Sequence, residues 1–228
     1  IGNIYMIGNY VPRDFQKAIY YLTLAASQNN SAAQCNLGFF YFDGKYVKRD
    51  ITKAIQYFEK SAQENQDAQI NLGILYYKGI YIERNVNKSI YYFLLAANQN
   101  NSDAYYYLGI IFYEGEYVKK DMNKAVYYLT RAAELNDKVA QLNIGLFYID
   151  GEIVNQNIQK GLNFLLKSAN NYCIYAYFPI AFIFHQGKTI KQDIKKAVKY
   201  YKESSSYNNS FAKNNLGIIY KNGFYEKV

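Results

Sequence analysis

Residues 32–62 read AAQCNLGFFYFDGKYVKRDITKAIQYFEKSA, and residues 103–133 read DAYYYLGIIFYEGEYVKKDMNKAVYYLTRAA. The two stretches share their small residues, their glycines, an acidic residue and a Lys-Ala pair in one register. Working outward, the first glycine belongs to the series Gly2, Gly38, Gly73, Gly109, Gly145, Ala181 and Gly217. The second belongs to Gly8, Gly44, Gly79, Gly115, Gly151, Gly187 and Gly223. An alanine stands five residues before the first glycine at Ala33, Ala68, Ala104, Ala140, Ala176 and Ala212. A fixed period of this length is the mark of a repeat architecture, whose units bury their apolar faces only by stacking.

Each unit reads as two helices. In the first, helix A, Ala33, Leu37, Phe40 and Tyr41 fall at helical spacing. The glycine that ends it suits a left-handed C-terminal residue. Asp or Asn then recurs at residues 14, 50, 85, 121, 157 and 193, a series of N-caps opening helix B. Small residues at Ala33, Gly38 and Ala54 allow two helix backbones to approach, with Leu37, Tyr41 and Tyr57 filling the space beside them. Ala181 departs from the glycine series and Pro179 precedes it, so a local kink is expected there.

The pattern resembles that of the Sel1-like repeat (SLR) family, a relative of the tetratricopeptide repeats. Ala33, Leu37, Gly38, Tyr41, Gly44, Asp50, Lys53, Ala54, Tyr57 and Ala62 carry the resemblance in one repeat. Ala104, Leu108, Gly109, Phe112, Gly115, Asp121, Lys124, Ala125, Tyr128, Ala132 and Ala133 carry it in another. Ser89 and Gly161 depart from the alanine that follows the lysine, and residues 157–187 match least well. The resemblance implies an all-α fold, a right-handed superhelical α-solenoid of helix–turn–helix repeats of about 36 residues, with a concave face lined by helix A. The expected organisation is a single array over 1–228. It comprises a partial repeat 1–30, repeats 31–65, 66–101, 102–137, 138–173 and 174–209, and a partial repeat 210–228. Because it opens and closes on helix A without a polar capping helix, it is expected to be an excerpt of a longer array.

Composition narrows function by exclusion. No apolar run reaches the roughly 18–20 residues that cross a bilayer. Cys35 and Cys173 lie almost four repeats apart, with no spacing suited to zinc, so no metal or disulfide framework is expected. Sparse cysteine points toward a reducing compartment such as the cytoplasm. The one histidine, His185, has no adjacent nucleophile or orienting group, and the glycine pairs lack a phosphate-loop context. No catalytic residue and no cofactor is therefore expected, although an SLR hydrolase-like enzyme remains a further reading.

The net charge of +8 allows an acidic partner or a membrane surface but is modest for the length, and nucleic acid is not the expected partner. Lysine nonetheless recurs three residues after each cap, at Lys17, Lys53, Lys88, Lys124, Lys160 and Lys196. A basic residue precedes several caps, at Arg13, Arg49, Arg84 and Lys120. Such an edge is an alternative surface for nucleic acid or phospholipid, though it lapses at Gln156 and Gln192. Asn29-Asn30-Ser31, Asn100-Asn101-Ser102 and Asn208-Asn209-Ser210 are formal glycosylation sequons. They read here as capping turns, with asparagine left-handed and serine as the next N-cap. Asn87-Lys88-Ser89 is a fourth sequon.

By analogy with tetratricopeptide repeats, three helix-A positions would line the concave face. The first row is Cys35, Ile70, Tyr106, Leu142, Phe178 and Asn214. The second is Phe39, Ile74, Ile110, Leu146, Phe182 and Ile218. The third is Phe42, Tyr77, Tyr113, Ile149, His185 and Lys221. The second row reads as packing against neighbouring helices. The partner-binding candidates are accordingly Ile70, Tyr77, Tyr106, Tyr113, Leu142, Ile149, Phe178 and His185. The sequence is thus read as a non-enzymatic scaffold or adaptor that binds a peptide or helix of other proteins within a multi-subunit complex.

Overall fold

The computed structural model describes residues 1–223; residues 224–228 of the expected final partial repeat lie outside the described residues. Those described form helices and turns, with no strand among them. Helices of type A are α1 (Gly2–Ile7), α3 (Ser31–Asp43), α5 (Gln66–Lys78), α7 (Ser102–Glu114), α9 (Lys138–Asp150), α11 (Tyr177–Gln186) and α13 (Ser210–Lys221). Helices of type B are α2 (Phe15–Ser27), α4 (Ile51–Ser61), α6 (Val86–Ala97), α8 (Met122–Glu134), α10 (Ile158–Asn170) and α12 (Ile194–Ser206). The chain divides into two compact units, Ile1–Ala104 and one beginning at Tyr105.

Local chemistry starts and stops each helix as the sequence pattern predicts. The carboxylates of Asp14, Asp50, Asp121 and Asp193 and the amide oxygens of Asn85 and Asn157 each accept from the backbone N–H three residues on. These bonds satisfy donors that a helix N-terminus otherwise leaves unpaired. At the other end of helix A the second-series glycines sit at positive φ, for example Gly44 at 71°, a conformation only glycine adopts without strain.

The basic residue before the cap has a structural role as well. Nη2 of Arg13 donates to the Ile7 carbonyl, that of Arg49 to Asp43 and that of Arg84 to Lys78. Gln156 and Gln192 donate in the same way to Ile149 and His185. The position requires a hydrogen-bond donor for the last carbonyls of helix A, which is why a neutral glutamine can replace arginine there.

Within each unit, helices A and B cross where the first-series glycine leaves room for a large residue twenty positions later. A Cβ on Gly38 would lie 2.6 Å from the Phe58 ring, and one on Gly73 2.5 Å from the Phe93 ring. Phe58 and Phe93 are fully buried. The two departures from the Lys-Ala pair are compensated at the same crossing. Ser89 Oγ donates to the Gly73 carbonyl at 2.9 Å, and the Ile149 side chain fills the space above Gly161. Ser89 is fully buried, so Asn87-Lys88-Ser89 is part of the packed helix α6.

Two local expectations are corrected. The left-handed residues are Asn29, Asn100 and Asn208, as read, but the caps are Asn30, Asn101 and Asn209. The serines that follow occupy the first helical position, because the amide side chain reaches the third N–H and leaves them nothing to cap. At Pro179, instead of a kink within a full-length helix A, a 3-10 turn over Ile174–Ala176 precedes a shortened α11. Proline then falls in the first turn, where its missing N–H breaks no hydrogen bond.

Candidate functional site

The same groove recurs at the same register in each unit. In the first it runs between α3 and α5, lined by Phe42, Asn71, Ile74, Leu75 and Lys78 together with the loop residues Ile80 and Tyr81. In the second it runs between α7 and α9, lined by Ile110, Tyr113, Asn143, Leu146, Phe147 and Asp150. Each encloses about 260 Å³. Asn71 corresponds to Asn143, Ile74 to Leu146, and Lys78 to Asp150. The apolar character is retained between units while the charge at the rim reverses sign.

This placement exchanges the first two rows and keeps third-row residues, Phe42 and Tyr113, at the grooves. The first row faces along the array: Cys35 joins a cluster with Ala68, Leu72 and Leu75, and Tyr106 packs against the core cluster that contains Leu129 and Ile144. Ile70, one of the candidates, is 9% exposed and is therefore a core residue. The second row, expected to be packing, includes the groove walls Ile74, Ile110 and Leu146, and its Phe39, Phe182 and Ile218 are each 44% exposed. The reason is the adjoining glycine. A helix-B side chain presses on helix A at Gly38, so the next residue, Phe39, lies at the edge of the crossing and meets Phe58 only edge-on.

The other candidates divide accordingly. Tyr113 lines the second groove, its ring stacked on Phe147 with centroids 5.6 Å apart. Tyr77 is half-buried on α5. Tyr106 is half-buried, and burial pushes its phenol above the usual range. Leu142 and Ile149 pack against the cluster built around Ile180 and Leu165. Phe178 lies in an aromatic group with Phe182, Tyr201 and Phe211. His185 Nδ1 hydrogen-bonds with the Tyr201 hydroxyl at 3.3 Å, a contact inside the repeat. Asn71 and Asn143 were not singled out, although asparagine recurs three residues after the helix-A alanine at Asn36, Asn71, Asn143 and Asn215.

The recurrent lysine has an intramolecular partner. Its ammonium lies over the helix-A aromatic ring, at 4.2 Å for Lys53 on Tyr41 and 4.3 Å for Lys160 on Tyr148. Equivalent contacts join Lys17 to Tyr5, Lys88 to Tyr76, Lys124 to Phe112 and Lys196 to Phe184. Hydrogen bonding to the Tyr41 hydroxyl holds the Lys53 pKa above its ordinary value. The lysine thus ties the start of helix B to helix A. Exchanging Lys53 or Lys160 for Met is expected to lower stability by about 0.5 kcal/mol each, the typical worth of an exposed cation–π pair. Urea unfolding checks this, and an unchanged midpoint would leave the lysines free to form a cationic track.

Burial pushes the Cys35 thiol up to about 12, the reverse of a reactive cysteine. Among the described residues no His, Cys, Asp or Glu cluster could hold a metal ion, and no helix is long and apolar enough to cross a membrane.

Comparison with known proteins supplies the context. The Sel1 repeat pattern matches residues 1–30, 31–65, 66–101, 102–137, 138–173 and 174–206. Among solved structures, the chain is similar to c5321, a protective antigen of uropathogenic Escherichia coli strains displaying an SLR fold. The identity is 27% and the TM-score 0.92, over 97% of this chain and 48% of that one. This chain therefore spans about half the length of that protein. It is also similar to a Sel1 repeat protein from Oxalobacter formigenes, 27% identical with a TM-score of 0.76, over 89% of this chain and 82% of that one. No curated protein sequence matches it.

Proposed function

The chain belongs to the Sel1 repeat family, whose members are generally protein-interaction scaffolds, and from that premise we propose that it holds a peptide or helix of a partner protein against the helix-A side of its repeats. The observation that carries this reading is the recurrence of one apolar groove, at one register, in both units. Packing between helices alone accounts for buried positions such as Leu37 and Leu72. It does not require half-exposed apolar residues at Ile74, Ile110 and Leu146. Apolar residues set beside polar groups, here Asn71 and Asn143, suit a strand or helix of polypeptide that offers both side chains and backbone donors.

In this reading the protein performs no chemistry on its partner and acts as a subunit that positions it. The alternative, an anionic surface gripping the basic edge, is weakened by two features. The recurrent lysines already lie on aromatic rings, and glutamine substitutes for arginine before two of the caps.

The test is a selection of peptides from a displayed library against the folded chain, followed by binding to the Tyr113→Ala variant. A selected peptide that uses the second groove is expected to bind that variant about tenfold more weakly, a loss of about 1.4 kcal/mol, because tyrosine is enriched among the residues that carry binding energy. Affinity that instead falls steeply with salt, with no effect of the substitution, would favour the phosphate-binding alternative.

A further inference from the structure

The repeat spanning residues 31–65 is one residue shorter than the repeat spanning residues 66–101, and the missing residue opens a polar cleft. The turns after helix B elsewhere contain a left-handed residue, namely Asn29, Asn100, Asn136, Tyr172 or Asn208; the turn after α4 has none. Helix α4 also stops early, with 11 residues against 13 for α2, α8, α10 and α12. The space left between the C-terminal ends of α2 and α4 is about 560 Å³, lined by Thr23, Ser27, Gln34, Tyr57, Ser61 and Glu64 among others.

What this cleft lacks is the side-chain amide that satisfies the equivalent glutamine in two other repeats. A buried glutamine stands after the helix-A alanine at Gln34, Gln69 and Gln141, and each donates Nε2 to a carbonyl ending the preceding helix B. In the repeats 66–101 and 138–173 the glutamine oxygen is also satisfied. Gln99 Nε2 donates to Gln69 Oε1 at 2.9 Å, and Asn171 Nδ2 to Gln141 Oε1 at 3.0 Å. The equivalent residue for Gln34 is Glu64, whose amide bonds the Ser61 carbonyl as that of Gln99 bonds Ala96. A carboxylate has no N–H to give. Gln34 is 4% exposed, and its Oε1 accepts no hydrogen bond from the described residues.

The surrounding groups add acceptors. Thr23, Ser27 and Ser61 line the cleft and donate their hydroxyl protons to the carbonyls of Ile19, Leu24 and Ser31, so toward a further partner each hydroxyl can only accept. Two helix C-termini end there, each favouring positive charge. Glu64 makes no ion pair with the described residues. The one cation of the lining, Lys60, is exposed.

We propose that this cleft is a binding site for a guanidinium group, carried by an arginine of a polypeptide or by a free guanidino compound. A planar guanidinium offers N–H donors in a fork that can engage the Glu64 carboxylate with one edge and Gln34 Oε1 with another. It would supply from outside the N–H that Gln99 and Asn171 supply from within. The site shares no residue with the helix-A grooves, so its failure would leave the scaffold reading untouched, and the reverse also holds.

The experiment is an NMR titration of the whole chain with acetyl-arginine methylamide, acetyl-citrulline methylamide, free arginine and glucose. Saturable shifts at Gln34 and Glu64 are expected with the arginine probe, and binding about tenfold weaker with the isosteric neutral citrulline. Glu64→Gln restores the amide donor of the sister repeats, so it should close the site and weaken the arginine probe about tenfold. Lys60→Met should tighten it. Free arginine binding as well as or better than the capped probe assigns the site to a small guanidino compound. The same group in an extended peptide binding more tightly assigns it to a polypeptide. No saturable shift with either arginine probe, equal binding of citrulline, or preferential binding of glucose overturns the proposal. Should Glu64→Gln fail to fold, Glu64→Ala and the citrulline comparison decide in its place.

Discussion

Replacing Gly109 by valine is expected to destabilise the fold by about 3 kcal/mol, the upper end of what overpacking a core commonly costs. The crossing of α7 and α8 sets this value. A Cβ at Gly109 would lie 2.6 Å from Leu129 Cγ and 3.1 Å from the Leu129 backbone nitrogen. Leu129 is fully buried among Ala132, Ala133, Ala140 and Ile144. The leucine tip borders the second groove, but the backbone atom cannot move without shifting α8. The sign of an alanine substitution separates packing from helix propensity. Alanine in place of glycine ordinarily favours a helix by about 1 kcal/mol, and at Gly217 a Cβ meets nothing within 4 Å. Gly217→Ala should therefore stabilise, while Gly109→Ala should destabilise in spite of its better propensity. Urea unfolding of the three variants measures this, with the slope compared to show that the same surface is exposed. Equal gains at both alanine sites would mean that Gly109 is not a packing contact.

Most of the fold was legible because its determinants are local and repeat. Asp50 announces a helix start, Gly44 a left-handed stop, and Ala33, Gly38 and Ala54 a close crossing, and each recurs often enough to fix the register. What stayed hidden were substitutions that exchange one donor or volume for another. Gln156 does the hydrogen bonding of Arg49, so a lapse in the charge pattern is no lapse in structure. Ser89 and Gly161 look like weak points, yet one bonds the Gly73 carbonyl and the other receives Ile149. Ser31 and Asn30 are both good capping types, and only the turn geometry selects the asparagine.

The candidate site was legible only as a choice of helix. Helical spacing does not reveal which positions of helix A a neighbouring repeat covers. Helical spacing predicts an accessible Ile70 and a packed Ile74, whereas Ile70 is core and Ile74 lines the groove. The deciding fact is where the helix-B residue lands on the glycine, which is a property of the crossing and not of the helix-A sequence. Glu64 illustrates the same limit. In the sequence it is one more charged turn residue, and its significance depends on the glutamine thirty positions earlier.

Lysine at the groove walls should abolish partner binding while sparing the fold. Ile74 and Leu146 are half-buried, so a lysine placed at either position can lay its methylenes along the wall and lift its ammonium to water in the free protein. A peptide seated in the groove would cover that ammonium, and an unpaired charge so buried costs about 3 kcal/mol or more, roughly a hundredfold in affinity. A peptide using the first unit's groove should lose affinity in Ile74→Lys, and one using the second in Leu146→Lys. Tyr106 is a poor probe by comparison, because it packs against the core cluster that contains Leu129 and Ile144 and its truncation would act on stability. The controls are Tyr20→Lys and Tyr127→Lys on α2 and α8, which are 60% and 57% exposed and are not among the residues lining either groove. Calorimetric binding of a selected peptide to the four variants, with melting curves for each, separates the outcomes. Loss of affinity in the Tyr20 or Tyr127 variants alone would move the interaction surface to helix B, because there the same charge would meet the partner instead of water.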